Sequence, residues 1–137
     1  MKNHTLLKEA RLYFVPILLG SNKRSHRISR KIFRKYGIVS LILDEKASLR
    51  DAFSLSSKFV QIYCKDGELL CSELCALVRS EPYCLPLLVA TAPRFEAFLD
   101  EFAPSLEPRF IICKPDELFS LSPLASIKDF KKGGNCR

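Results

Sequence analysis

The chain has 137 residues, 47% of them apolar and 27% charged, and a formal net charge of +7. That length suits one domain with its own core, and that apolar share excludes wholesale disorder. The charge is lopsided, with ten Lys/Arg against one acid (Glu9) in residues 1–36 and twelve against fourteen in residues 37–137, so the positive field lies toward the amino-terminal end and an anionic partner is a candidate.

Residues 1–11 read as a lead-in segment, either a short helix or loose chain. Leu12–Leu19 is a nearly unbroken apolar run that closes on Gly20, the pattern of a strand buried on both faces. Pro16 within it cannot donate to a ladder, so a bulge or an unpaired edge stretch is expected there. Asn22–Tyr36 reads as a helix, with Ile28, Ile32, Phe33 and Tyr36 facing the sheet and Arg27, Arg30, Lys31 and Arg34 on the other side. Ser21, Asn22 and Ser25 are the candidate caps, and Gly37 suits a left-handed stop. Val39–Leu43 is the second strand, Asp44-Glu45-Lys46 a turn, and Ser48–Leu55 a helical turn or two.

Phe59–Tyr63 is the third strand. Gly67–Arg79 is a helix whose buried face comprises Leu69, Leu70, Leu74, Leu77 and Val78. Leu85–Thr91 is the fourth strand and Arg94–Phe102 a helix that Pro104 is expected to stop. Phe110–Cys113 is the fifth strand, Asp116–Phe119 a last helical turn, and residues 121–137 a polar tail. Strands alternating with helices at these lengths imply βαβ units. The fold expected over residues 12–120 is therefore α/β: three layers with a mostly parallel sheet of four to five strands, Rossmann-like in its winding.

The apolar run before Gly20 is too short to span a bilayer. Glu9 and Arg11 lie against it and no small-residue cleavage site follows, which disfavours a signal peptide. Six cysteines (Cys64, Cys71, Cys75, Cys84, Cys113 and Cys136) are present, in a chain large enough to need no disulfide staples. A cytoplasmic protein with reduced thiols is expected, with no membrane partner. Cys71 and Cys75 are four apart on a helix, but no paired C-x-x-C spacing accompanies them and His4 and His26 are distant in sequence, so no metal site is assigned.

No complete catalytic motif appears, and no catalytic residue is assigned. In a doubly wound domain, ligands sit past the carboxyl end of the first strand. Gly20, Ser21, Asn22 and Arg24 at that turn, with Thr91 and Ala92 at the end of the fourth strand, are therefore the candidate ligand-binding residues. A helix amino terminus there favours carboxylate or phosphate. The plain alternative is a structural turn with no ligand. A dinucleotide is disfavoured because Gly20 stands alone where G-x-G-x-x-G is required, which leaves Asp44 a weak pointer to a ribose. Lys23, Arg27, Arg30, Lys31 and Arg34 form a second candidate, a basic face for nucleic acid or another polyanion; its plain alternative is a solvated helix face. Few aromatics alternate with these charges, so no stacking platform for single strands is evident. His26 lies among Arg24, Arg27 and Arg30 and is not assigned as a base. The adjacent acids Asp100-Glu101 and Asp116-Glu117 point to different sides and are read as helix-end or solvent groups.

The string Phe-Val-Pro-Ile-Leu-Leu-Gly-Ser-Asn (14–22), the helix ending Lys-Tyr-Gly-Ile (35–38) and Val-Ser-Leu-Ile-Leu (39–43) resemble the amino-terminal, pre-ATP-grasp domain of bacterial ATP-grasp carboxylate–amine ligases, among members similar to D-aspartate ligase. Ser56-Ser57-Lys58-Phe59-Val60 resembles that family's approach to its third strand, and Leu85–Thr91 with Phe110–Phe119 resembles the end of the domain. The resemblance covers roughly residues 12–120. It implies a non-catalytic front domain that supplies part of a carboxylate-substrate cleft and an interface for a catalytic module. In such ligases the chain continues into an ATP-grasp module of roughly two hundred residues, on ordinary domain-size grounds. This sequence ends at Arg137 and holds no such module, so ATP and magnesium belong to that module and no cofactor is expected here. The expected partners are a small carboxylate and an ATP-grasp module in cis or in trans, with nucleic acid or a second copy of the chain as further candidates.

Overall fold

Five parallel strands form one sheet in the order β3-β2-β1-β4-β5. The computed structural model describes residues 14–63, 65–79 and 85–118. In chain order the elements are β1 (Phe14–Leu19), helix α1 (Lys23–Tyr36), β2 (Ser40–Asp44), a short α2 (Leu49–Phe53), β3 (Ser57–Gln61), α3 (Gly67–Arg79), β4 (Leu85–Ala90), α4 (Pro93–Leu106), β5 (Ile111–Ile112) and a 3-10 turn at Pro115–Glu117. The three-layer, Rossmann-like α/β fold expected from the sequence is the fold observed. The lead-in segment, the polar tail, Leu12, Tyr13, His4, Cys64, Cys84, Cys136 and Phe119 lie outside the described residues.

Alternation along the central strands builds two cores. Leu18, Ile42, Leu87 and Val89 face Ile28, Ile32 and Tyr36 of α1. Ile17, Leu19, Leu43, Leu88 and Ala90 face Leu70 and Leu74 of α3 and Phe95, Phe98, Leu99 and Leu106 of α4. Consecutive residues of one strand thus feed opposite layers, which is why these runs are apolar without interruption.

Several elements depart from the sequence expectation. Pro16 sits neither at a bulge nor at an edge. It is buried in the central strand, in unbroken register opposite Leu87. Backbone direction explains the tolerance. Gly20 donates its N–H to Leu43 O of β2 at 2.8 Å. Pro16, four residues earlier with the same parity, turns its nitrogen toward the same side, one residue before the β1–β2 pairing opens at Ile17 and Leu41. No ladder donor is required of it there.

Helix α4 starts at Pro93 and runs through Pro104 to Leu106 rather than stopping. The fully buried Leu106 and the Glu107 N–H bond to Ala103 O at 2.9 Å hold the last turn. Phe33 of α1 and Leu69 of α3, both expected to be core, are exposed; each lies at the margin of its helix's apolar stripe. β3 begins two residues earlier than expected, at Ser57, and β5 shrinks to Ile111–Ile112. Among the described residues no helix is long and apolar enough to cross a membrane.

Candidate functional site

The sheet order reverses between β1 and β4. The chain leaves β1 through α1 toward β2, and leaves β4 through α4 toward β5, with the two helices on opposite faces. This is the topological switch point of an open α/β sheet, where a crevice opens outside the carboxyl ends of the strands. The turns that meet there are Gly20-Ser21-Asn22 and Thr91-Ala92.

Gly20 makes the first turn with φ of 118°, a conformation that L side chains rarely adopt. A Cβ on it would stand 2.7 Å from Thr91 Oγ1, so the two turns are in van der Waals contact. The Thr91 hydroxyl reaches the carbonyls of Leu19 (2.9 Å) and Gly20 (3.1 Å), and the Asn22 amide donates to Thr91 O at 3.1 Å. Asn22 is also the cap of α1: its Oδ1 accepts Ser25 N–H at 2.9 Å, and Ser25 Oγ accepts Asn22 N–H at 3.0 Å. Of the three candidate caps, Asn22 takes the role and Ser25 closes the capping box. Gly37 closes the helix in the left-handed region, with φ of 69°.

The donors of Ser21 are engaged by two carboxylates. Its N–H bonds Asp44 Oδ2 at 2.8 Å and its Oγ bonds Asp51 Oδ2 at 2.5 Å. Asp44 also accepts Glu45 N–H and the Arg94 guanidinium, so its carboxylate is committed to the fold rather than presented to a ribose. Arg94 additionally lies over the Phe95 ring, 4.7 Å from its centroid. The Asp51 oxygens accept Ser48 N–H at 2.7 Å and meet His26 Nε2 at 2.8 Å. Both side chains of that pair are buried, 3% and 2% exposed.

Burial works to raise the Asp51 pKa, but bonds from Ser21, Ser48 and His26 and the pull of His26 outweigh it and hold the carboxyl below its ordinary 3.8. An ionised carboxylate carries no proton, so Nε2 supplies the hydrogen of the His26–Asp51 bond. The carboxylate therefore stands between serine and histidine. A nucleophilic hydroxyl needs the imidazole itself as its acceptor, and Ser21 lacks that arrangement.

Three kinds of group remain for an outside anion. Helix geometry leaves the N–H groups of Lys23 and Arg24 without intrahelical partners. Ala92 begins α4 with no side-chain cap; Pro93 has no N–H and the Phe95 N–H bonds Ala92 O at 3.0 Å, so this end presents the Arg94 N–H alone. The guanidinium of Arg24 is half exposed, 3.8 Å from the exposed Asp116. Of the six expected ligand residues, Gly20, Ser21, Asn22, Thr91 and Ala92 come together at the rim and Arg24 stands beside them. Ser21 and Asn22 shape the turn through internal bonds.

The alternative set, Lys23, Arg27, Arg30, Lys31 and Arg34, is exposed along the outer side of α1. Cys71 and Cys75 are half-buried on α3, and burial raises the Cys71 thiol pKa, which opposes reactivity. Among the described residues, no group of three or more His, Cys, Asp or Glu is arranged to hold a metal.

Asp51 and Arg94 were not among the residues expected here, Asp44 was expected only as a weak pointer to a ribose, and His26 was expected among arginines. One signal was present: Ser48-x-x-Asp51 is a capping pattern, and it announces a carboxylate folded back on its own turn. Replacing Asn22 with alanine removes the Ser25 cap and the tie to Thr91 and is expected to cost about 1–2 kcal/mol, read by urea unfolding. An unchanged midpoint would contradict the cap. No protein-family model matches the chain, and no curated protein matches it.

Proposed function

We propose that this chain is a non-catalytic front domain of an ATP-grasp carboxylate–amine ligase, or a stand-alone copy of one, and that its β1–β4 rim holds the carboxylate of a small substrate. The observation that carries this reading is the meeting of two helix amino termini, those of α1 and α4, at the switch-point edge of the sheet beside Arg24. Oriented N–H groups and a guanidinium favour a carboxylate there. Gly20 allows the close approach, Asn22 and Thr91 lock the two turns together, and Asp44 and Asp51 hold Ser21. Chemistry on the bound carboxylate, with ATP and magnesium, belongs to a separate catalytic module that docks in cis or in trans. The reading entails a cytoplasmic protein with reduced thiols.

The test is thermal unfolding of the chain in the presence of amino acids, dicarboxylates and nucleotides. A ligand at a hundred times its Kd adds about 2.7 kcal/mol, so one carboxylate class is expected to raise Tm by several degrees, and Arg24→Glu to abolish the rise. No carboxylate response in the intact chain overturns the reading.

A second reading has one observation in its favour: Lys23, Arg27, Arg30, Lys31 and Arg34 are all solvent-exposed on α1, as polyanion binding requires. Binding that falls steeply with salt and ignores small carboxylates selects it.

A further inference from the structure

A groove of about 440 Å³ lies between α1 and α2, on the flank of α1 rather than at the sheet rim. Its charged members are Arg30 and Arg34 from α1 and Arg50 from α2. Its apolar members are Phe33, Phe53 and Leu55, which are 41%, 81% and 89% exposed. Among the described residues no carboxylate lines it. The nearby Asp51 is turned inward to His26 and Ser21. The groove is thus a cationic wall around an uncovered apolar floor. Few aromatics alternate with these arginines in the sequence; the fold brings Phe33 of α1 and Phe53 of α2 into the lining of one groove.

We infer that this groove docks a segment of a partner protein in which acidic residues flank an apolar anchor. Charge complementarity sets the sign of the partner, since three arginines with no acid among the described lining residues repel a basic segment and attract carboxylates. The apolar floor sets its class. Among the described residues Leu55 is the most exposed of the large apolar side chains. Aliphatic side chains gain from burial against another side chain but offer no face for base stacking. Aromatic residues with arginine around them are also the composition of interface centres. The anchor fills the space between Phe33, Phe53 and Leu55, while its flanking carboxylates pair with Arg30, Arg34 and Arg50. This inference stands apart from the carboxylate rim and does not depend on it.

The experiment is selection of a displayed 16-residue random peptide library on the full chain, followed by affinity measurement of the recovered peptides. The expected consensus places Asp or Glu on both sides of Leu, Phe or Trp. Arg34→Glu and Phe53→Ser, both at exposed positions and checked for unchanged Tm, are each expected to weaken binding at least tenfold. Arg79→Glu, at the end of α3 on the opposite face, is expected to leave it within about twofold. Recovered peptides without acids, or binding indifferent to Arg34→Glu and Phe53→Ser, overturn the inference. Tighter binding of a twenty-residue oligothymidylate, with the same sensitivity to both variants, overturns it in favour of single-stranded nucleic acid.

Discussion

Gly20→Ala is expected to destabilise the domain by about 2–4 kcal/mol, through backbone strain at positive φ and through crowding of a neighbouring turn. The backbone at Gly20 has φ of 118°, and the added methyl would meet Thr91 Oγ1 at 2.7 Å and Asn22 Nδ2 at 3.3 Å. Neither atom is free to retreat. The Thr91 hydroxyl is tied to the carbonyls of Leu19 and Gly20, and the Asn22 amide to Thr91 O. The steric part separates from the strain in a double-variant cycle. Thr91→Ala removes the atom that the new methyl strikes, so the double variant is expected to be more stable than the sum of the single effects by roughly 1 kcal/mol or more. Urea unfolding of the four proteins measures this. Strict additivity would show that the two turns do not touch.

Asp51→Ala is expected to cost a similar amount, about 2–4 kcal/mol, which lowers Tm by roughly 8–15 °C in a domain of this size. The substitution leaves the buried His26 Nε2, the Ser21 hydroxyl and the Ser48 N–H without their common acceptor. It also carries a signature in pH. The folded Asp51 carboxyl lies below its ordinary 3.8, so the folded state holds the ionised form more favourably than the unfolded chain does. Its contribution is complete above the unfolded pKa and is lost as pH falls through the folded one. Wild-type stability should therefore drop more steeply than that of Asp51→Ala below about pH 4, measured by denaturant midpoints between neutral and acid pH. Parallel curves would remove Asp51 from its assigned role.

Strand and helix order was legible because β1, β2 and β4 are short apolar runs bounded by turn residues and alternate with amphipathic helices. Such runs have few packings other than a buried parallel sheet. The rim was legible in position for the same reason: the turn after β1 had to lie near the turn after β4 once the sheet was wound. Its wiring was not legible. Ser21 meets Asp44 and Asp51 across 23 and 30 residues, and nothing local to either carboxylate announces the serine. His26 was given no role because it lies among arginines in sequence, whereas Ser25, His26 and Ser29 form the polar front half of the buried face of α1. Pro16 and Pro104 misled for a different reason. Strand parity leaves the missing donor of Pro16 without a ladder partner, whereas Pro104 forfeits one i−4 helix bond, a loss offset by the buried Leu106 and the Glu107 N–H bond to Ala103 O.

The groove beside α1 and the β1–β4 edge of the sheet are built differently. The edge is made of small residues held by internal bonds. The groove keeps large apolar side chains in solvent, which a chain with two well-filled cores has no packing reason to do.

The rim is tested most directly by titrating the isotopically labelled chain with whichever small carboxylate raises Tm and following its backbone amide resonances. The expected shifts fall on Ser21–Arg24 and on Thr91–Arg94, and Arg24→Glu abolishes them. Shifts confined to the outer residues of α1 or to the α1–α2 groove, with the two rim turns silent, would contradict the carboxylate site.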